Sequence, residues 1–217
     1  MKESVKNLLH GTRQAVTVTV VLMLICGLLF PCLLTGLSAL IFPNQAGGNL
    51  ITVNGQTVGA KYVGQEFTED YYMWSHPSAY HYNVYTEGED GKQYYPDGRE
   101  FPGIGSGSNN YAPSNPALTE RVEADIESFL EKNPEVKRED IPTDLLTASG
   151  SGLDPHISPE SAEVQIPRIV EASGLSEDTV RDIVKNNTEG KFLGIFGEET
   201  VNVLMVNIEI AQNMDLI

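Results

Sequence analysis

From Ala15 to Phe42 the chain reads AVTVTVVLMLICGLLFPCLLTGLSALIF, without one charged residue. This run constrains the fold more than any other feature, because roughly 20 apolar residues in a helix suffice to cross the hydrocarbon core of a bilayer. A secretion signal has an apolar core of only about 7–15 residues followed by a small-x-small cleavage site, and Thr35–Ala39 matches that pattern poorly. The run therefore reads as a retained transmembrane helix. Pro31 inside it predicts a kink, and Gly27 and Gly36 leave room for a neighbouring helix to come close.

Flanking charge sets the expected orientation. Lys2, Lys6 and Arg13 precede the run against one acid, Glu3, and no Lys or Arg follows it until Lys61. The expectation is a cytoplasmic tail over 1–14, a transmembrane helix over 15–42 and an extracytoplasmic domain over 43–217, with the chain at the cell membrane as a single-pass protein. The whole chain has a formal charge of −16; beyond residue 42 stand 29 acids against 11 bases, or −18. Such a surface excludes nucleic acid as a partner, since phosphate binding needs clustered cations. The only cysteines, Cys26 and Cys32, lie in the apolar run, so the domain is expected to hold together by core burial without a disulfide.

Within the domain, Asn54-Gly55 between β-branched residues predicts a hairpin of Leu50–Val53 and Gln56–Gly59. Residues 62–85 are rich in aromatics (Phe67, Tyr71, Tyr72, Trp74, Tyr80, Tyr82, Tyr85) with poor periodicity, and read as loop and short helix. These rings either wrap the core or form a docking surface. Residues 86–103 are an acidic Gly/Pro-rich excursion without the spacing of a calcium loop. Asn115-Pro116 predicts the start of a helix to Lys132, with Leu118, Val122, Ile126 and Phe129 on its buried face. Ser158-Pro159 starts another, in which Pro167 predicts a kink or break, and Ser176 caps a third that is expected to close at Gly190. Thr200–Ile210 alternates and is read as the clearest strand, with Asn202 and Asn207 needing hydrogen-bond partners if buried. The expected fold is a mixed α/β (α+β) domain, a small sheet packed by helices, behind a single N-terminal membrane helix.

Candidate chemistry is sparse. Ser149, Ser151, Asp154, His156 and Ser158 are crowded into ten residues, too close in sequence for a nucleophile–base–acid convergence, and no G-x-S-x-G turn is present. A rigid structural loop, a partner-contact loop and an active site are the three readings, in that order. The Gly105–Ser108 stretch lacks the G-K-[ST] closure of a phosphate loop. His76 and His81 are five apart across a proline with no cysteine near them, and His10 lies on the other side of the span, so no metal site is expected. A membrane-anchored sensor and an anchored hydrolase are the competing classes; only a short tail before the span argues against the sensor.

Several stretches resemble a known family. Gly64-Gln65-x-Phe67, Pro77-Ser78-Ala79 with Tyr82-Asn83, Gly107-Ser108-Asn109 with Pro113-Ser114-Asn115-Pro116, Pro142-x-Asp144-Leu145, TASGSGLDPHISP over Thr147–Pro159, Gln165, Arg168, Val201–Leu204 and Asn207 together resemble the C subunit of the potassium-translocating P-type ATPase, the Kdp complex. The resemblance implies an accessory, non-catalytic subunit of an ATP-driven potassium uptake pump. Its partners would be a channel-like A subunit, an ATP-hydrolysing B subunit that uses ATP and Mg²⁺, and a very small F subunit. The family is described as a catalytic chaperone that raises the B subunit's affinity for ATP, with a direct nucleotide contact through a glutamine that corresponds to Gln165. The expected topology puts Gln165 across the bilayer from the nucleotide, which favours the alternative of a modulator beside the potassium entrance, acting on ATP affinity only at a distance. Ser149, Ser151, Asp154, His156, Arg168 and His76 are then partner-contact candidates. Two departures stand out: His76-Pro77-Ser78 where the family usually has Arg-Pro-Ser, which exchanges a permanent cation for a titratable one, and residues 84–104, which look like an insertion.

Overall fold

The computed structural model describes residues 2–217, and the side chains of Glu3 and of residues 11–217. Lys2, Lys6 and His10, used above for orientation and metal binding, have side chains outside that set. The chain divides into two compact units, Met1–Leu50 and Ile51–Ile217.

The first unit is helical. α1 (Lys2–Leu24) passes through one π-helical turn, Ile25–Leu29, into α2 (Phe30–Ile41), and a short α3 (Pro43–Ala46) follows. Pro31, where a kink is expected, stands two residues beyond that widened turn. Proline has no N–H and its ring clashes with the carbonyl four residues back. The chain responds just before it with an i to i−5 bond, Phe30 N–H donating to the carbonyl of Ile25. The stretch Gly11–Ile41, 31 residues, is long and apolar enough to cross a membrane, and none of its most apolar window is buried within the chain. At 1.5 Å per residue it spans about 46 Å, beyond the roughly 30 Å a bilayer core requires.

The second unit opens with the expected hairpin, β1 (Leu50–Val53) and β2 (Gln56–Ala60), turned at Asn54-Gly55 where both residues take positive φ. The acidic excursion folds on itself as a two-residue ladder, β3 (Thr86–Glu87) against β4 (Gln93–Tyr94). α4 (Pro116–Lys132) is capped by Asn115, whose side chain accepts from Ala117 N at 3.0 Å, and it buries Ile126 and Phe129. These meet Ile141 and Leu145, with Trp74 packed alongside.

The main core lies around a three-stranded antiparallel sheet in the order β5 (His156–Ile157), β7 (Thr200–Asn202), β6 (Thr188–Glu189). Four helices pack on it: α5 (Pro159–Glu163), α6 (Ile166–Ser173), α7 (Glu177–Asn186) and α8 (Val203–Asn213). Met73, Ile157, Ala162, Ile166, Ile169, Val180, Ile183, Val201, Val203, Val206 and Ile210 fill the space between. Pro167 does break the helical pattern, since α5 stops at Glu163 and the proline sits in the first turn of α6. Gly190 does not close α7, which ends at Asn186 so that Thr188-Glu189 can pair with β7.

A second expectation is overturned. Thr200–Ile210 is not a strand: only Thr200–Asn202 pair, and Val203–Asn213 form α8. The switch is made by Asn202, whose side-chain oxygen accepts from Met205 N at 3.0 Å as a helix cap. Val203, Leu204, Val206, Asn207, Ile208, Ile210 and Ala211 are all buried. A helix covered on nearly every side has no polar face, so its 3.6-residue period vanishes and β-branched residues imitate a strand.

Candidate functional site

The 147–159 segment is a loop pinned from within and from four sides. Asp154 turns it: Oδ1 accepts from His156 N at 3.0 Å and Oδ2 accepts the Ser149 hydroxyl at 2.9 Å. The His156 imidazole, then these bonds, outweigh desolvation and hold the Asp154 carboxyl at about 2. Gly107 N donates to the carbonyl of Ser151 at 2.6 Å, and the Ser106 hydroxyl donates to the same oxygen. Ser78 Oγ donates to Gly152 O at 2.7 Å, Gly64 N to Leu153 O at 2.8 Å, and Val203 N to Pro155 O at 2.9 Å. Gly152 has φ 68 and lies against the backbone of Gly107, so neither its conformation nor its space admits a side chain.

Ser149 donates to the carboxylate and not to an imidazole, while the nearest Asp154 oxygen is 3.6 Å from His156 Nδ1. A carboxylate held at about 2 is too weak a base to activate that hydroxyl near neutral pH. His156 instead reaches Asn202 Nδ2 at 3.4 Å, beside Tyr62. His76, half-buried, bonds through Nδ1 to the carbonyl of Thr147 at 3.3 Å. It lines a cleft of about 460 Å³ between the 65–82 segment and α4, together with His81, Arg121 and Asp125. Ser149, Ser151, Asp154 and His156 thus come together with His76 at their edge, whereas Arg168 and Gln165 belong to a different place.

That place is a buried polar network on α5 and α6. Gln165 is 0% exposed, and its side-chain amide is fully used. Oε1 accepts from Trp74 N at 2.9 Å and from Arg168 Nη2 at 2.8 Å; Nε2 donates to Trp74 O at 3.2 Å and to Ser161 O at 3.0 Å. These four bonds equal the whole capacity of the group. Arg168, 6% exposed, donates Nε to Asn133 Oδ1 at 3.1 Å and Nη1 to the carbonyls of Asp70 and of Tyr72, the latter at 3.0 Å. Its guanidinium lies 4.0 Å from the centroid of the Trp74 ring. Burial draws its pKa down to about 10, which leaves it charged at neutral pH. Gln165 immediately precedes α6 as its N-cap residue and Arg168 lies in the first turn, three residues on, which brings the two side chains together. Asn207 completes the clamp from α8, accepting from Met73 N at 2.7 Å and donating to Met73 O at 2.9 Å.

Consecutive backbone units, Met73 and Trp74, are each gripped by a side-chain amide as a neighbouring strand would grip them. The partners that Asn202 and Asn207 require are present: Asn202 Nδ2 donates to Lys61 O at 2.8 Å. Most of the aromatics of 62–85 face inward; Phe67 and Tyr72 pack on the main core, while Tyr62 and Tyr85 are exposed. Asn133 is a part of this architecture without a counterpart among the sequence expectations, while Asp144 stood there only within a family motif and Trp74 only among the aromatics of 62–85. Asp144 caps α5 through Ser158 N at 2.8 Å and the hydroxyls of Ser158 and Ser161; desolvation opposes its ionisation, and these bonds overcome it and lower its pKa. The signal for Asp144 was the serine pair at an N-cap three residues apart; nothing marked Asn133.

In this structure no donor or acceptor of the Gln165 amide is left over. Among the described residues no group of three or more His, Cys, Asp or Glu gathers as metal ligands do.

A sequence model of KdpC, described as K+-transporting ATPase, c chain, matches residues 12–212. A potassium-transporting ATPase KdpC subunit of Clostridium kluyveri is 54% identical over 206 residues, 95% of this chain and 95% of its own length. Its counterpart in Clostridioides difficile is 50% identical, covering 94% and 98%, and that of Caldanaerobacter subterraneus subsp. tengcongensis 42%, covering 93% and 95%. The motifs that resembled the Kdp C subunit are those that build the loop and the buried clamp, and the chain belongs to the KdpC family, the c chain of the K+-transporting ATPase.

Proposed function

We propose that this accessory subunit of the potassium-transporting ATPase works from the extracytoplasmic side of the membrane, outside the cell or in the periplasm. Its N-terminus is cytoplasmic, and its acidic domain docks beside the potassium entrance of a channel-like partner subunit. It helps assemble and stabilise the pump with the ATP-hydrolysing and small subunits, and has neither a catalytic nor a nucleotide site of its own. The flanking charges of the span support the orientation. The observation that carries the absence of a nucleotide site is the Gln165 amide, buried and spent on Trp74, Ser161 and Arg168. Any effect on ATP affinity then arises as coupling between distant sites through the membrane subunits.

The test is side-specific labelling. Ser114 is exposed on the domain. A membrane-impermeant maleimide added to intact cells is expected to label Ser114→Cys in the assembled pump. Labelling only after the cytoplasm is opened would refute the orientation and restore a direct nucleotide contact as the leading reading.

A further inference from the structure

The connection between β6 and β7 holds four large apolar side chains in water: Phe192 is 71% exposed, Leu193 75%, Ile195 75% and Phe196 62%. No other five-residue stretch of the domain, among the described residues, exposes so many. The turn is nonetheless built. Phe192 and Phe196 form an antiparallel bridge, with Phe192 N donating to Phe196 O at 2.8 Å and Phe196 N to Phe192 O at 3.0 Å. Gly194 N donates to Lys191 O at 2.9 Å, and Leu193 and Gly194 take φ of 54 and 74. Its base is the β6–β7 ladder, which an ion pair of 2.7 Å between Glu189 and Lys61 ties to the rest of the domain. Exposed apolar clusters of this kind mark contact sites, and a hydrogen-bonded turn loses little freedom when it docks.

Charge selects the occupant. Glu198 and Glu199 follow the turn directly, with Lys191 before it, on a domain of formal charge −18. A second copy carries the same charge and repels it. We infer that the Phe192–Phe196 turn is a plug that seats in an apolar, cation-rimmed pocket on the extramembrane face of another subunit of the pump. The inference rests on the accessory-subunit reading and names the surface through which that docking occurs.

The experiment uses the pump purified in detergent through a tag on its ATP-hydrolysing subunit. The double variant Phe192→Ser/Ile195→Ser is expected to dissociate from it at least about tenfold faster than the unaltered chain, as loss of an interface hot spot does. Ile104→Ser, at a residue 88% exposed elsewhere, is the control and is expected to dissociate at the unaltered rate. Thermal unfolding followed by Trp74 fluorescence is expected to be unchanged in both. Equal retention of the double variant and the unaltered chain overturns the plug alone. Quenching by spin-labelled lipid of a fluorophore at Leu193→Cys, in reconstituted pump with Cys26 and Cys32 replaced by Ser, would overturn it in favour of the bilayer. If the unaltered chain fails to purify with the pump at all, both the plug and the accessory-subunit reading fall.

Discussion

The α5–α6 network and the acidic excursion over residues 86–101 are made from similar side chains in opposite circumstances. In the first, Arg168 is buried, donates to Asn133, Asp70, Tyr72 and Gln165, and lies on Trp74. In the second, Lys92 meets Glu100 at 3.0 Å and Arg99 meets Asp97 at 2.6 Å, with Lys92, Glu100 and Arg99 largely in water and Asp97 partly so. Buried polar groups are costly when unpaired, so every bond in the network is needed. Exposed pairs exchange one set of partners for water and contribute little. The first arrangement specifies a backbone path; the second keeps an excursion soluble.

The steepest way to break this contrast is Arg168→Leu. It leaves two backbone carbonyls, Asn133 and one lone pair of Gln165 unpaired in the interior, and is expected to destabilise the domain by about 3 kcal/mol. Trp74 is the only tryptophan, so its fluorescence in the full chain in micelles reports both the denaturation midpoint and the loss of the stacked guanidinium. Gly152→Ala comes next. A side chain at φ 68 against the Gly107 backbone is expected to cost about 2 kcal/mol on the same assay.

A smaller effect is read against pH. The Asp154 carboxyl sits at about 2 in the folded chain against an ordinary value near 3.8. A lowered folded pKa contributes stability that is full above about pH 4 and is lost as pH falls through about 2. With allowance for partial exposure of the carboxylate, the contribution is about 1 kcal/mol. Asp154→Asn is expected to flatten the stability profile between pH 4 and 2, measured by urea titration at each pH. Lys92→Ala, at the low end, is expected to leave the midpoint where it is; a clear fall would show that the excursion is as tightly specified as the core.

What was legible in the sequence followed from local signals. The chargeless run, the Asn54-Gly55 hairpin, and the helix starts at Asn115-Pro116, Ser158-Pro159 and Ser176 are set by neighbours within a few residues. α8 was misread because its surroundings, not its own period, make it a helix. The need of Asn202 and Asn207 for partners was legible from burial alone, but the identity of those partners was not. Met73 lies 134 residues from Asn207, and Trp74 lies 91 from Gln165. Nor could spacing show that Ser149 points to a carboxylate and not to an imidazole, or that Arg168 is buried with the amide of Asn133 as a partner.

The claim on which the functional account turns is that Gln165 holds the fold and does not read a nucleotide. Its side-chain amide signal in isotopically labelled full-length chain, recorded in micelles while Mg²⁺ and ATP are added, tests this directly. The account predicts slow solvent exchange and no movement of that signal up to millimolar ATP. A saturable shift of the Gln165 amide, with its bonds to Trp74 opening, would contradict it.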